Sequence, residues 1–562
     1  MNKIVVYGLL LMASILNAQE IDGLFPEHKS QLRMPFNHAS YSVFEQGMYQ
    51  AENTHTSLKP YLYRNAVGIQ NYKAPLLKDK TSWWGRKLWN EHLVAISGTD
   101  YWFHLDVLLD VDGGIDNTEV GTTSNNTRIL KMEGQIGSQL SYSASVFESQ
   151  SFFTQFINEY VKINQPEDAY GLIPGRGKSK LFQNKGHDYG ISTGYLSYSP
   201  NKLINLQFGH GQNFIGDGYR SLFLSDVSAP NTYLKVTTTM GKVQYTNLYM
   251  WMKDFNYSID DVQQGLNYGH KRKYGTFHHL SWNVTSKFNL GLFEGLIVDN
   301  SGGSGAFPAE YFNPIIFYKN LEFANGEDSG NGVVGVDAKY RFGENNIFYG
   351  QFLLDDFKIS EFFNNQNGYW ANKHAIQIGV KSFDAFHVKG LQLQAEFNKV
   401  TPFTYAHEEQ HHYSNFGQSL AHLWGGNFWE TVLIARYRKK RWAAQGKLVY
   451  GTKGFDIDGD LTSYGGNILI SASDRNADYD QRFLQGNQAV ILNIDTELSY
   501  LVNPSTGFKL FTGVLMRNFT SELPITRIGI KPESIGYTFN TENTRWFVFG
   551  VKADLFNHYR DY

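Results

Sequence analysis

Three histidines and two glutamates lie close together in one polar stretch of the chain. His407, His411 and His412 flank Glu408 and Glu409, and imidazole nitrogens and carboxylate oxygens are ligands that zinc takes in proteins. Their spacing does not match the HExxH helix of zinc proteases. A hydrogen-bonding loop is therefore the favoured interpretation and a metal site the alternative, and His407 is kept as a candidate ligand-binding residue.

A second acidic stretch has the alternating carboxylates of a calcium loop. Asp456, Asp458 and Asp460 occupy every second position. An EF-hand loop needs glycine at its sixth position and a bidentate glutamate at its twelfth, whereas here Gly459 comes too early and Asn467 takes the twelfth place. The pattern therefore predicts a solvated acidic loop, and we expect neither a metal nor a cofactor.

Signatures of an enzyme are missing from the sequence. No GxSxG motif provides a nucleophile, and the glycine pairs at 209–211 and 216–218 are not followed by a helical pattern that could bind phosphate. Asp355 and Asp356 are adjacent carboxylates, but neighbours on a strand point to opposite faces. They are therefore poorly placed to act together on a glycosidic bond, and we expect no catalytic residues.

Tryptophans in polar surroundings offer a different chemistry. Flat aromatic faces beside amide and carboxylate groups are suited to binding carbohydrate. The candidate ligand-binding residues are Trp370, Trp424, Trp429, Glu396, His407 and Arg220. The alternative interpretation is that the tryptophans form a girdle at a membrane interface.

The secondary structure that would carry these residues is indicated by apolar and polar residues that alternate with a period of two. Leu391, Leu393, Ala395 and Phe397 alternate with polar residues, and the stretches 334–342, 376–381, 490–500 and 546–555 alternate in the same way. Such a period makes a strand with one apolar face. In lipid, only a closed barrel satisfies the backbone groups of strands. The sequence therefore predicts an all-β, transmembrane, antiparallel outer-membrane β-barrel.

Composition and the first residues agree with export to the outer membrane. Residues 1–18 have the positive start, apolar run and small-residue site of a signal peptide, and with no cysteine the chain needs no disulfide. Aromatic residues make up 15% and glycines number 54, which suits girdles and tight turns. The net charge of −3 provides no field for nucleic acid. A secreted β-sandwich or propeller is the alternative.

The chain divides into two regions after the signal peptide. Residues 19–90 are interrupted by four prolines and have no period of two, which predicts a small periplasmic or plug region with short helices. Residues 91–562 are expected to form the barrel, and from about Leu130 onward about 23 residues per strand and connection give about 16–18 strands. The candidate external loops or inward folds are Asn164–Gly186, Asn300–Phe307, Glu361–Asn372, His407–Gly426 and Asp456–Gln488.

Three longer stretches resemble the Wzi-like outer-membrane proteins of the Bacteroidetes, a group that includes RemB-type gliding motility proteins. The stretches are FGHGQNFIGDGYRSLFLS (208–225), EYFNPIIF (310–317) with YGQFLLDDF (349–357), and EFNKVTPFTYAH (396–407) with LAHLWGGNFWE (420–430). The resemblance implies an 18-stranded barrel with helical periplasmic elements and a lectin-like role in attaching or assembling capsular polysaccharide. After His422 this chain has Leu423 and Trp424 where the family pattern has proline.

The sequence therefore predicts a non-enzymatic outer-membrane barrel that binds, attaches or helps assemble surface polysaccharide, with gliding motility as a further expectation. A diffusion channel is the alternative, and a hydrolase using Glu396 or His407 is the third hypothesis. The expected partners are surface polysaccharide, outer-membrane lipid and lipopolysaccharide, and gliding or secretion machinery, with no nucleic acid.

Overall fold

The computed structural model describes residues 24–163, 170–254, 271–299, 307, 309–315, 330–356, 358, 360–361, 368–408, 411–527 and 537–562. The predicted signal peptide, residues 1–18, lies outside the described residues. Parts of the candidate loops at 164–186, 300–307, 361–372 and 407–426 also lie outside them.

Eighteen antiparallel strands form a closed barrel within the described ranges. They are β1 Tyr101–Asp116, β2 Thr122–Ile136, β3 Leu140–Phe152, β4 Gly186–Tyr198, β5 Ile204–Gly211, β6 Asn231–Met240, β7 Val243–Asp254, β8 Lys271–Asn283, β9 Phe288–Asp299, β10 Asn331–Phe342, β11 Asn346–Leu354, β12 His374–Phe383, β13 Leu391–Val400, β14 Phe428–Lys439, β15 Trp442–Phe455, β16 Asn487–Asn503, β17 Phe508–Arg527 and β18 Tyr537–Ala553. Each strand pairs with the next, and β18 pairs with β1, with Val551 opposite Val111. The predicted all-β barrel of about 16–18 strands is confirmed.

The two faces of the wall differ in the way that the alternation predicts. On β13, Gln394 and Glu396 are 5% and 2% exposed, whereas Phe397 is 38% exposed. On β18, Phe549 is 61% exposed. Polar side chains therefore point into the barrel and apolar side chains point out. An apolar outer belt is stable against hydrocarbon and would be costly in water.

The two ends of the barrel are built differently. At one end, which we call the short-turn end, successive strands are joined by tight connections, such as the turn of residues 504–507 between β16 and β17. At the other, the loop end, the connections are longer and include residues 401–427 and 456–486. Among the described residues, no helix is long and apolar enough to span a membrane.

Short helices and turns make up most of residues 24–90. The α-helices are α1 His38–Tyr41, α2 Glu45–Gln50, α3 Ile69–Lys73 and α4 Trp83–Trp89, and α5 Gln155–Ile163 lies in a loop; the 3₁₀ helices are Pro26–Lys29, Tyr63–Asn65, Ala74–Leu76, Ala309–Phe312, Ala385–His387 and Ala472–Asp474. Asn37 caps α1 by accepting a hydrogen bond from the Ser40 N–H, which satisfies a donor that the first turn leaves free.

This N-terminal segment, residues 24–90, covers the short-turn end and enters the barrel. Asn503, at the end of β16, donates to the backbone oxygen of Lys87 over 2.9 Å. Further inside, the two-residue strand Leu58–Lys59 pairs with Phe214–Ile215. Lys381 on β12 bonds Glu45 of α2 over 3.0 Å. The segment is therefore fixed to the wall and to the interior by polar contacts.

Two loops and the segment after the last strand also fill the interior. The connection of residues 212–230, which we call the inward loop, folds into the barrel and nearly all of it is buried. Tyr405 and Tyr413 of the connection 401–427 are also fully buried. Residues 554–562 turn back into the barrel, where Tyr559 donates to Asp226 over 2.7 Å. The remaining short strands are Val94–Ser97, Gly171–Ile173, Gly177–Phe182, Ser414–Asn415 and Gln418–Ser419.

Candidate functional site

Arg220 lies at the centre of a buried group of charges inside the barrel. Its Nε donates to Glu430 over 3.0 Å and one terminal nitrogen donates to Asp561 over 2.9 Å. Lys447 bonds the same Asp561 carboxylate over 3.0 Å. Arg220 is 2% exposed and both acids are fully buried. We call Arg220, Glu430, Lys447 and Asp561 the central ion network; it joins the inward loop, two strands and the segment 554–562.

Glu396 lies beside this network and receives backbone hydrogen bonds. Its carboxylate accepts from the N–H groups of Tyr219 and Arg220 over 2.7 and 3.0 Å. The Tyr349 hydroxyl donates to it over 2.7 Å. A carboxylate with these partners anchors the inward loop to β13, and no acceptor position is turned toward solvent.

A glycine makes this close approach possible. The inward loop passes Glu396 at Gly218, where an added Cβ would lie 2.5 Å from the Glu396 Oε2 and 2.7 Å from the Arg220 backbone oxygen. No side chain fits at that distance. The glycine-rich stretch 208–225 therefore serves to bring backbone against a charged wall.

Trp424 is held inside the barrel next to the central ion network. It is 5% exposed, and its ring nitrogen donates to the backbone oxygen of Asp561 over 2.8 Å. Its neighbour His422 contacts Glu430 over 2.7 Å. Arg220, Glu396 and Trp424 thus come together, but as a buried set that connects the inner segments.

Trp429 lies elsewhere, on the outer face of β14. Its ring stacks on Phe397 at 6.3 Å and meets the edge of Tyr450 at 5.7 Å. Outward aromatic clusters are typical of the belts at membrane interfaces.

Trp370 lies at the loop end, where two connections meet. Its backbone N–H donates to the Asp478 backbone oxygen over 2.9 Å, and the Arg475 guanidinium covers its ring at 3.8 Å. Tyr369 packs against Tyr479 at 5.4 Å. We call these five residues the outer aromatic surface.

Tyr479 is the residue of this surface that the sequence reasoning missed. Its side chain is 42% exposed, whereas one face of Trp370 is already covered by Arg475. The available signal was an aromatic residue between Asp478 and Asp480 in a polar loop. With carboxylates on both sides, Tyr479 has the surroundings that favour stacking against a sugar.

His407 lies near this surface in the connection 401–427. Its ring is 5.5 Å from that of His411, and its backbone N–H donates to the His412 Nδ1 over 3.2 Å. Burial and the nearby Lys373 lower the pKa of His407 to about 4. Glu408 accepts a hydrogen bond from Ser473 of the neighbouring connection. The group therefore makes hydrogen bonds between two outer loops.

A large cavity opens toward the short-turn end. It has a volume of about 890 Å³ and lies between the N-terminal segment and strands β12–β18. Its lining carries more basic than acidic side chains, and Arg436 there donates to Gln445 over 2.7 Å. The cavity reaches inward to Lys447, where the central ion network fills the barrel.

Comparison with solved structures identifies the type of barrel. Wzi, an outer-membrane protein involved in group 1 capsule assembly in Escherichia coli and a carbohydrate-binding β-barrel, matches 92% of this chain and 99% of its own, with a TM-score of 0.51 and 14% identity. The protein is an outer-membrane β-barrel. OprD and OpdK of Pseudomonas aeruginosa each match 80% of the chain, and 95% and 98% of their own, with TM-scores of 0.39 and 0.41 and identities of 9% and 8%. No protein-family model and no curated protein sequence matches the chain.

In an outer-membrane barrel the short turns face the periplasm and the longer loops face outward. The outer aromatic surface is therefore external, and the N-terminal segment is periplasmic. The basic cluster 436–441 lies at the periplasmic end, where the Arg441 Nε donates to the Leu76 backbone oxygen over 2.9 Å. This cluster fixes the N-terminal segment to the turn between β14 and β15.

His412 is expected to make stability depend on pH. Burial, followed by Lys273, lowers the pKa of His412 to about 3, below the value of about 6.5 in an unfolded chain. Below pH 6.5 the unfolded state therefore binds more protons, and stability falls as the pH drops toward 3, by up to about 1.4 kcal/mol per pH unit. His412→Asn should reduce this slope in guanidinium unfolding measured from pH 7 to 4.

His387 provides the control, because it is exposed on the turn between β12 and β13. His387→Asn should leave the slope as it is in the wild type. An unchanged slope in His412→Asn would show that other groups carry the acid sensitivity.

Proposed function

We propose that the protein is a Wzi-like, non-enzymatic outer-membrane barrel that binds surface polysaccharide and helps attach or assemble it. The observation that carries this proposal is the filled interior. The central ion network and the inward loop occupy the middle of the barrel, so the exposed chemistry lies on the loops. The carbohydrate-binding activity of Wzi, which has the same fold, supports the proposal.

The outer aromatic surface is the proposed binding face. Tyr479 would stack on a sugar ring, and the exposed Asp478 and Asp480 would accept hydrogen bonds from its hydroxyls. Trp370 and His407 remain proposed contacts at its edge. One such site is weak, but a repeating polymer presents many copies of its unit, so many weak contacts along the cell surface add avidity.

Catalysis is not part of the proposal, because the carboxylates considered for it, Asp355, Asp356 and Glu396, are held by the fold. Asp355 accepts from the Tyr405 N–H over 2.6 Å, and Asp356 bonds Lys373 over 2.9 Å. Glu396 is held by the backbone of the inward loop. A general acid or base must come within hydrogen-bond distance of its substrate. These three carboxylates are instead held by their partners within the protein.

A role in gliding motility is a more specific proposal. The resemblance to the Wzi-like proteins of the Bacteroidetes suggests that the bound polymer is part of a moving surface layer, with gliding or secretion machinery as partner. Lipid and lipopolysaccharide would contact the apolar outer belt, which includes Phe549.

The test compares cell-attached with shed polysaccharide in a deletion strain complemented with wild type, Tyr479→Ala or Phe386→Ala. Phe386 is 83% exposed on a periplasmic turn and is the matched control. Deletion should move polymer into the medium, Tyr479→Ala should reproduce part of that loss, and Phe386→Ala should restore attachment. Colony spreading is scored on the same cells.

If polymer stays attached after deletion while spreading fails, attachment is refuted and the protein acts in motility alone. If polymer is shed but Tyr479→Ala restores attachment fully, binding lies outside the outer aromatic surface.

A diffusion channel is the second candidate. The polar inner face and the periplasmic cavity of about 890 Å³ favour it, because a water-filled lumen needs both. Conductance separates it from the polysaccharide-binding barrel.

A further inference from the structure

Three buried side chains outside the proposed binding face converge at the periplasmic end of the barrel. Glu27 belongs to the 3₁₀ helix Pro26–Lys29, His92 precedes the strand Val94–Ser97, and His104 points inward from β1. One ligand atom from each residue lies within 4.8 Å of those of the other two. Their exposed fractions are 1%, 3% and 2%.

Each of these three side chains has one polar atom without a hydrogen-bond partner among the described residues. Glu27 Oε2, His92 Nε2 and His104 Nδ1 are buried and make no hydrogen bond within the described part of the chain. Buried polar atoms are nearly always paired, because leaving one unpaired costs its full desolvation. Three such atoms in one place indicate that something binds between them.

Neighbouring residues orient two of the three donors. The Asp106 carboxylate lies 2.6 Å from the His92 Nδ1 and accepts from the Leu93 N–H over 2.9 Å. With its Nδ1 held by a carboxylate, His92 presents Nε2 as the free lone pair, the arrangement common behind zinc-binding histidines. Lys73 bonds Glu27 Oε1 over 3.2 Å, whereas Oε2 is the oxygen without a partner in the described part of the chain.

We propose that Glu27, His92 and His104 form a zinc site that ties the N-terminal segment to β1. Two imidazoles and one carboxylate are an established zinc ligand set, with water in the fourth position. In tetrahedral geometry with bonds of about 2.0–2.1 Å, ligand atoms lie about 3.3 Å apart. Since the present separations are all within 4.8 Å, small side-chain movements suffice to reach this geometry.

One ring must also turn. The His92 and His104 rings are stacked at 3.9 Å with an angle of 19° between their planes, whereas both planes must point at a shared metal. The His104 Nδ1 makes no hydrogen bond in the described ranges that would oppose this rotation. His92 is held by Asp106, so His104 is the ring that turns.

The site would join the N-terminal segment to the barrel wall. Glu27 lies in the N-terminal segment, and His104 lies in the wall, opposite Ala95 of the strand Val94–Ser97. A metal shared by the two fixes the 3₁₀ helix Pro26–Lys29 against the barrel, and its binding free energy stabilises that contact.

The experiment uses the mature, untagged protein purified in detergent, stripped with a chelator and equilibrated with zinc. Bound metal is counted after free metal is removed, in the fraction that shows the gel shift of a folded barrel on heating. We expect one zinc per chain. Glu27→Gln and His104→Gln should lose it, and Asp106→Asn should weaken affinity about 10–100-fold. His210→Ala is the control, since His210 is exposed on β5.

Cobalt provides a second readout on the wild type alone, because tetrahedral Co²⁺ gives visible bands of high intensity. Failure of the wild type to hold zinc, or retention of zinc by both ligand variants, would overturn the proposal. So would a cobalt spectrum of octahedral type, which indicates binding by surface groups and water.

Discussion

Replacing Arg220 with methionine is expected to lower the free energy of unfolding by about 3–5 kcal/mol, the cost of leaving buried charges without their partner. Glu430 and Asp561 are both fully buried and both bond Arg220. Methionine fills much of the space but supplies no donor. Lys447 can still neutralise Asp561, whereas the partners that Glu430 keeps among the described residues are His422 and Asn398.

Guanidinium unfolding in detergent, followed by tryptophan fluorescence, measures the change. Arg128→Met is the matched control, because Arg128 is exposed on β2 and makes one long hydrogen bond to Gln150; it should change stability by less than about 0.5 kcal/mol. Combining Arg220→Met with Glu430→Gln should recover part of the loss, since the uncompensated charge is then gone. Equal losses in Arg220→Met and Arg128→Met would show that the network contributes nothing.

Purified wild-type protein in a planar bilayer is expected to pass almost no current. The inward loop, the segment 554–562 and the central ion network together occupy the barrel at the level of Lys447. Ion flow needs a continuous wet path, and charges that are paired and buried offer no such path. This result would exclude the diffusion channel as the main function.

A variant in which residues 213–229 are replaced by a short glycine–serine linker shows that the assay can detect an open barrel. Its removal takes out Arg220 and the partners of Glu396, so conductance steps are expected. Steady ohmic steps from wild type would contradict the filled interior and favour the channel. Insertion of both proteins is checked by protease protection of the vesicle-bound form.

The wall of the barrel was predictable from the sequence, because the alternation of apolar and polar residues indicates which face of each strand meets lipid. On β13 the alternation assigned Gln394 and Glu396 to the inner face, and both are buried there. Length gave a range of about 16–18 strands, and the number 18 came from the resemblance to the Wzi-like proteins. The assignment of the two faces needed only the local pattern.

The interior was not predictable in the same way. The inward loop alternates by no fixed period, because its side chains face other inner segments on every side. Arg220 lies 210 positions from Glu430 and 341 from Asp561 in the chain, and no local pattern reports such pairs. Arg220, Glu396 and Trp424 are candidate ligand-binding residues by their chemistry, and the fold brings all three together in the buried interior.

The proposed zinc ligands could not be identified from the sequence for the same reason. His92 and His104 are near in sequence, but Glu27 comes from a different element, and only the folded chain brings it to them. By contrast, the sequence drew attention to His407, His411 and His412, which are neighbours in the chain.

The contact between the two extremes of the described chain also sets the order in which the molecule can be assembled. The His38 N–H donates to Asn557, 519 positions further along. Contacts of such long range form late, because the intervening chain must first be ordered. We therefore expect the N-terminal segment to gain its final partners only after nearly the whole wall has formed. Pairing of β18 with β1 then encloses the N-terminal segment and the segment 554–562. We expect this last closure, rather than the pairing of any earlier hairpin, to limit the rate at which the folded barrel forms.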